Sequence, residues 1–419
     1  MRHFLNCQAR ALAVLLATVF LTALSTEAKA IELNLAAVLQ EAAANHPSVK
    51  LRQSELRAAE SELSGANWGR YPSLGADVQT ASGGAPATIR LVQPLWTGGR
   101  ITAQISLAQA NLLAAQAALI EAKQAIMLEG GTNFFEIQRF SARLGTAIAN
   151  EAEHRRLLST IERRVRSEVS STVDATQAQA RLQQAISERL QFERQLGTLQ
   201  FALEQIVGKS AITLRAPRDI KVEAVNATTL LEAALAFSPE RQRLEAQVEA
   251  SEAQINVARA VLMPQLSVSQ EVRIGSVPAG VDKSRLFLGL SVQTGAGLSS
   301  LSAVNVAVAR QQAAKDALDQ NRRQLEQSVR SNWNDVNALQ SQLKPSRDLL
   351  EASDDVVASY LRQFQVGRKA WLDVLNAQRE KTNAYYALAD LEAPLLLAKL
   401  RLLLLVGNIR PDALTAIHD

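Results

Sequence analysis

The stretch Thr88–Ile126, TIRLVQPLWTGGRITAQISLAQANLLAAQAALIEAKQAI, changes its period partway along. Ile89 and Leu91 alternate with Thr88 and Arg90, the period-two signature of a half-buried strand. After Gly98-Gly99 the apolar positions are Ile101, Ile105, Ala108, Leu112, Ala115, Leu119, Ala122 and Ile126. Steps of four and three make a heptad seam, the mark of helices packed nearly parallel. A helix from Gly98 to Val165 would be about 100 Å long at 1.5 Å per residue.

The same plan recurs. At an offset of 192, Leu39 falls on Leu231, Pro47 on Pro239, Glu60 on Glu252, Pro72 on Pro264 and Leu74 on Leu266. Slightly larger offsets carry Gly99 onto Gly297, Phe135 onto Trp333, Asp174 onto Asp373 and Val207-Gly208 onto Val406-Gly407. Paired prolines and glycines make this a tandem duplication. Residues 31–210 form one repeat and 226–408 the other, with 211–225 as linker and 409–419 as tail. Each repeat opens with helices, 35–69 and 227–262, and Pro47 and Pro239 sit where a helix tolerates proline. Strand hairpins follow, over 72–96 and 264–294; in the second, Leu286, Leu288, Leu290 and Val292 alternate with Phe287, Gly289, Ser291 and Gln293. Long helical hairpins close the repeats over 98–208 and 297–407. The second seam runs through Leu325, Val329, Asn332, Val336, Leu339 and Leu343, and Pro345 is expected to kink or break its helix.

The chain of 419 residues is 47% hydrophobic, 21% charged and 4% aromatic, a palette of long helices with thin cores. Arg2 and Arg10, the uncharged run Ala11–Leu24 and Ala28-Lys29-Ala30 read as a secretory signal cleaved after Ala30. An N-terminal anchor is the alternative, but the run is short for a span. Cys7, the one cysteine, would leave with the signal. The mature chain would carry a charge near +2, too weak and dispersed for nucleic acid. Its best apolar helix, Leu395–Val406, is interrupted by Lys399 and Arg401. An exported chain of this kind would enter a membrane as β-strands. Its four strands cannot close a barrel alone, since the smallest bacterial barrels have eight, so the barrel would be shared between chains. A small periplasmic β-domain, or a periplasmic coiled-coil scaffold, is the competing architecture.

No catalytic constellation is present. The histidines of the mature chain, His46, His154 and His418, have no metal-ligand spacing, and Gly98-Gly99 lacks the Lys-Ser/Thr of a phosphate loop. The sequence implies no enzyme, cofactor or metal.

Gln93-Pro94-Leu95-Trp96-Thr97-Gly98-Gly99-Arg100 resembles the strand-to-helix junction of TolC-type outer-membrane efflux proteins. Phe364–Ala377, FQVGRKAWLDVLNA, resembles that family's second helical-hairpin tip. The resemblance implies a mainly α fold with β: a homotrimer in which three chains share a twelve-stranded β-barrel continued by a twelve-helix α-barrel. It implies residence in the outer membrane of a Gram-negative bacterium, contact with its lipid, and a helical part in the periplasm. It also implies passive export, with a periplasmic adaptor (membrane fusion protein) and an inner-membrane ABC transporter or other pump as partners. The run Trp371–Glu380 is closer to members serving type I protein secretion; small-molecule efflux is the alternative.

By the same resemblance, Asp373, Asn376 and Lys369 lie at the periplasmic entrance. Asp373 would repeat around the axis as an acidic ring that attracts cations. Asn376 replaces a second acid, and Lys369 latches neighbouring hairpins with less geometric control than arginine. Val366 and Gly367 match the tip that meets the adaptor, and Ser167 and Glu168 occupy the corresponding first tip, where Glu168 replaces the glycine. Asp174 is the repeat partner of Asp373. Trp96, Tyr71 and Phe287, with Trp68, are candidate anchors at the membrane interface.

Overall fold

The computed structural model describes residues 31–78, 87–210, 212–215, 220, 226–275, 282–292, 295–296 and 299–409. The expected signal with its Ala30 boundary, the ends of both strand-hairpin loops, most of the linker and the tail after Ile409 lie outside the described residues.

The first repeat contributes β1 (Ile31–Leu33), α1 (Leu35–Asn45), α2 (Pro47–Trp68), β2 (Ser73–Val78), β3 (Ala87–Trp96), α3 (Arg100–Arg166), α4 (Thr172–Val207) and β4 (Ile212–Leu214). The second contributes α5 (Ala227–Phe237), α6 (Pro239–Val261), β5 (Gln265–Ile274), β6 (Ser284–Ser291), α7 (Ser299–Gln365) and α8 (Trp371–Leu405). Helices α3 and α7 each have 67 residues, about 100 Å at 1.5 Å per residue.

The repeat extends to the helix caps. The side chain of Asn34 accepts from Ala37 N, and that of Asn226 from Thr229 N. Each satisfies a donor that the first turn leaves unpaired. His46 and Ser238 cap α2 and α6, whose first residues are Pro47 and Pro239. Pro345 lies inside an unbroken α7, contrary to a break there. The position is exposed, so water can reach the Ser341 carbonyl that proline leaves without its N–H partner.

Both strand hairpins join one antiparallel sheet in the order β2-β3-β5-β6. The β3–β5 pair unites the repeats, leaving β2 and β6 as edges. The described part of β2 has six residues and β6 has eight. A separate parallel pair, β1 with β4, has no local sequence pattern and was not anticipated.

The largest core lies halfway along the long helices. Phe134, Phe135 and Met127 of α3 pack with Leu39 of α1, Leu203 of α4 and Leu400 of α8, all fully or almost fully buried. Gly131 lets α8 approach: a Cβ there would come within 2.2 Å of Leu400 Cδ2. Beside this core, Leu230, Leu325, Val329, Leu395 and Leu402 form the second repeat's counterpart. Ion pairs and hydrogen bonds at its margin tie distant segments together, among them Lys209 Nζ to Glu41 Oε1 at 2.6 Å and Gln124 Nε2 to the Leu404 carbonyl at 2.8 Å.

Leu395–Val406 is therefore core rather than the best candidate for a span. By length and composition the one described helix apolar enough to cross a membrane is α3. That helix packs on α1, α2, α4, α6 and α8, so its apolar seam faces neighbouring helices.

Candidate functional site

The helical hairpins turn through the same backbone device. After α3, Val169 N donates to the Arg164 carbonyl at 2.9 Å; after α7, Arg368 N donates to the Gln363 carbonyl at 2.9 Å. Such a turn requires one left-handed residue. Gly367 supplies it with φ 75° and Glu168 with φ 58°, the one non-glycine of positive φ among the described residues. Glycine takes this conformation without a Cβ penalty. Glu168→Gly is expected to stabilise the first tip by about 0.5–1 kcal/mol, measured as a higher urea midpoint; an unchanged or lower midpoint would contradict this.

The two tips pack side by side. Leu157, Ile161 and Ala178 from the first hairpin bury against Phe364, Trp371, Val374 and Leu375 from the second. The Arg164 guanidinium stacks 4.6 Å from the Phe364 ring. Outside this core stands Lys369, its Nζ 3.5 Å from Asp373 Oδ2 and 4.2 Å from the centre of the Tyr360 ring. Partial desolvation opposes the ammonium charge, but Tyr360 and Asp373 outweigh it and hold Lys369 above the ordinary lysine value. Asp373 also sits in the first turn of α8, where a helix favours negative charge.

Of the entrance candidates, the structure thus joins Lys369 to Asp373 and places Asn376 three residues further along α8, half-buried. Val366 is 69% exposed, and Gly367, Ser167 and Glu168 are exposed beside it. Ser167 Oγ donates to the Arg163 carbonyl at 3.1 Å. Asp174 accepts from Ser171 N at 3.2 Å in a complete capping box, so its carboxylate is occupied in starting α4. Ala370 stands at the equivalent cap of α8 and offers no side-chain bond.

Above the tips, polar links hold the helices in register. Asn150 Oδ1 of α3 accepts from Gln378 Nε2 at 3.2 Å and Thr382 Oγ1 at 2.9 Å of α8, all three buried. Glu151 accepts from Arg189 of α4 and Arg155; these bonds hold its carboxyl below the usual range despite partial desolvation. Burial, helped by Arg181, keeps His154 below the ordinary histidine value. None of these residues stands out in the sequence except as a polar interruption of an apolar seam.

At the other end the sheet has two unlike faces. Cross-strand partners share a face. Leu74–Leu91, Ala76–Ile89, Val272–Ile89, Val268–Leu288 and Leu266–Leu290 lie on one. Its Leu74, Val78, Leu286, Leu288 and Leu290 are exposed to more than half of their surface. The opposite face carries Asp77, Thr88, Arg90, Ser267, Ser269, Glu271, Arg273 and Arg285.

The interface candidates divide. Between Pro94 and Trp96 the register of β3 slips by one residue, so Trp96 pairs with Leu266 and is re-aimed to the apolar face by the bulge. Trp68 and Tyr71, with ring centres 5.2 Å apart, stand exposed at the same end of the sheet. Phe287 does not join them. It alternates with Leu286 and Leu288, pairs with Ser269 on the polar face, and lies under the Arg285 guanidinium at 4.6 Å.

Comparison with known proteins agrees with this architecture. The outer membrane efflux protein family model matches the chain twice, over residues 38–209 and 230–408. A curated relative, the outer membrane efflux protein BepC of Brucella suis, is 20% identical over 394 residues, covering 91% of this chain and 86% of its own. Among solved structures, the outer membrane protein VceC of Vibrio cholerae superposes with TM-score 0.78 at 19% identity, covering 89% of this chain and 96% of its own. The Neisseria gonorrhoeae MtrE outer membrane channel gives 0.75 at 17% identity, covering 89% and 88%.

Proposed function

We propose that this chain, which belongs to the outer membrane efflux protein family, is the passive exit duct of a tripartite export system and works as a homotrimer. As a member of that family it is an outer membrane channel and not an enzyme, with its long helices in the periplasm. The observation that carries the proposal is the four-stranded sheet with one exposed apolar face and two unpartnered edges. In hydrocarbon an open edge leaves backbone donors and acceptors unsatisfied. Closure requires other copies: β6 of one chain meets β2 of the next, and three chains give twelve strands. The apolar face then meets lipid, with Trp68, Tyr71 and Trp96 at the periplasmic rim, and the polar face lines the pore. No chemistry is required of the duct. Its residues exclude lipid, keep the lumen wet and hold the entrance.

The exposed tip at Val366, Gly367, Ser167 and Glu168 is the surface offered to a periplasmic adaptor. The adaptor joins the duct to an inner-membrane ABC transporter or other pump. Type I protein secretion is the reading favoured for cargo. The run Trp371–Glu380 supports it, as does an entrance with one acid per chain that Lys369 partly offsets. Small-molecule efflux is the second reading, favoured by the relative named as an efflux protein. Deletion of the gene separates them. Loss of one large secreted protein with unchanged drug sensitivity is the expected outcome. Hypersensitivity to drugs with an intact secreted set would transfer the assignment to efflux.

A further inference from the structure

On the polar face of the sheet, three arginines converge on one carboxylate. Glu271 Oε1 accepts from Arg90 at 2.8 Å, and Oε2 accepts from Arg285 at 3.0 Å, with Arg273 Nη2 at 3.9 Å. A single cross-strand ion pair serves sheet stability; one carboxylate does not need three guanidinia. The surplus is also the accessible part. The Glu271 side chain is 6% exposed, whereas those of Arg90 and Arg285 are 47% and 53% exposed. The group presented outward is therefore the guanidinium, with donors in the planar fork that matches carboxylates and phosphates.

The cluster lies at the loop end of the sheet, away from the helices. Arg90 is near the start of β3, Arg273 near the end of β5 and Arg285 at the start of β6. Asp77 is the one other acid on this face of the strands. Asp282 and Lys283 before β6 offset one another, and the loop sequences 79–86 and 276–281 contain no charged residue. Nothing nearby in sequence cancels the excess of positive charge.

We propose that Arg90, Arg273 and Arg285 form a lumenal belt at the outer exit that binds oxyanions, carboxylate or phosphate groups carried by cargo or solutes in the pore. The proposal rests on the channel reading above, which places the polar face inside the barrel and repeats the belt in each copy. The ligand comes from the lumen and not from lipid, because the belt faces away from Leu286, Leu288 and Leu290. A low-dielectric wall behind a ring of like charge concentrates counter-ions at the pore mouth. Arg285 is held by both Glu271 and the Phe287 ring, so its guanidinium is positioned before an anion arrives.

The test is block of single-channel current in planar bilayers by tripolyphosphate and by citrate, added to each chamber in turn. The expected result is block from the loop side at lower concentration than from the helix side. Arg273→Gln with Arg285→Gln should raise the half-blocking concentration by about ten-fold. The single change Arg285→Gln, which leaves Glu271 paired with Arg90, should give an intermediate rise. Citrate and tripolyphosphate together identify which oxyanion the belt prefers. Conducting channels that neither anion blocks, or that the variants block as readily as the wild type, would overturn the belt and leave the channel standing. Absence of any conductance would overturn the channel reading, and the belt with it.

Discussion

Phe135→Ala is expected to cost about 3–5 kcal/mol of stability. Phe135 is 1% exposed and meets Phe134 edge to face, with ring centres 5.5 Å apart. Together they anchor the place where α1, α3, α4 and α8 meet. The neighbours cannot collapse into the vacated volume. Leu400 is already pressed against Gly131, and the long helices are fixed at their other ends by the tips and the sheet. The change is expected to lower the urea midpoint followed by circular dichroism, whereas Phe135→Leu should cost only about 1–1.5 kcal/mol. Equal, small losses for both would mean that this core does not bear the fold's stability.

The largest functional effect is expected from separating Lys369 and Asp373. In the intact protein the Lys369 ammonium lies 3.5 Å from the Asp373 carboxylate of its own chain, so the proposed entrance carries a balanced pair. Asp373→Ala leaves one lysine per chain, and Lys369→Ala leaves one carboxylate. In the trimer proposed above, three such pairs surround the narrow end of the pore, and an unbalanced charge there acts on every ion that passes. The cation-to-anion permeability ratio, from reversal potentials in a salt gradient, is expected to fall about three-fold in Asp373→Ala. In Lys369→Ala it is expected to rise by a similar factor. Shifts in the same direction, or none, would remove the pair from the conduction path. Asp373 also favours the start of α8 through the helix dipole, so a modest loss of stability in Asp373→Ala would not count against the entrance role.

Much of this architecture is legible in the sequence, and the limits have physical causes. The change of period across Gly98-Gly99 identifies β3 and α3 because both elements are amphipathic and their periods differ. The offset of 192 also contains the caps Asn34 with Asn226 and His46 with Ser238, which become visible once the helices are drawn. Other features had no local signal. The strands β1 and β4 are three residues each and pair across the whole first repeat. The bulge that turns Trp96 toward the apolar face depends on a register slip against β5, which no turn specifies. Arg273 and Arg285 reach Glu271 along β5 and across the β5–β6 hairpin, but the arrival of Arg90 required the β3–β5 register, set by no hairpin loop. Phe287 is different, since its alternation with Leu286 and Leu288 was readable and places it on the polar face. Pro345 shows the converse: the residue type argues for a break, but its exposed setting tolerates the missing hydrogen bond.

For the proposed entrance, the sequence names Lys369, Asp373 and Asn376 through their place in a tip motif. The i,i+4 spacing of Lys369 and Asp373 allows their pairing, but the sequence does not show the contact of Lys369 with Tyr360, which depends on how the turn at Gly367 returns the chain. The same turn at Glu168 shows what the fold tolerates: a left-handed glutamate in place of glycine, with the flanking hydrogen bonds retained.

The most direct test of the shared barrel is the conductance of purified, detergent-extracted wild-type protein in a planar bilayer. Trimers that close a twelve-stranded pore should insert and give discrete, uniform current steps. Protein that never conducts, and that fractionates as a soluble monomer, would contradict the barrel and return the four strands to a periplasmic scaffold.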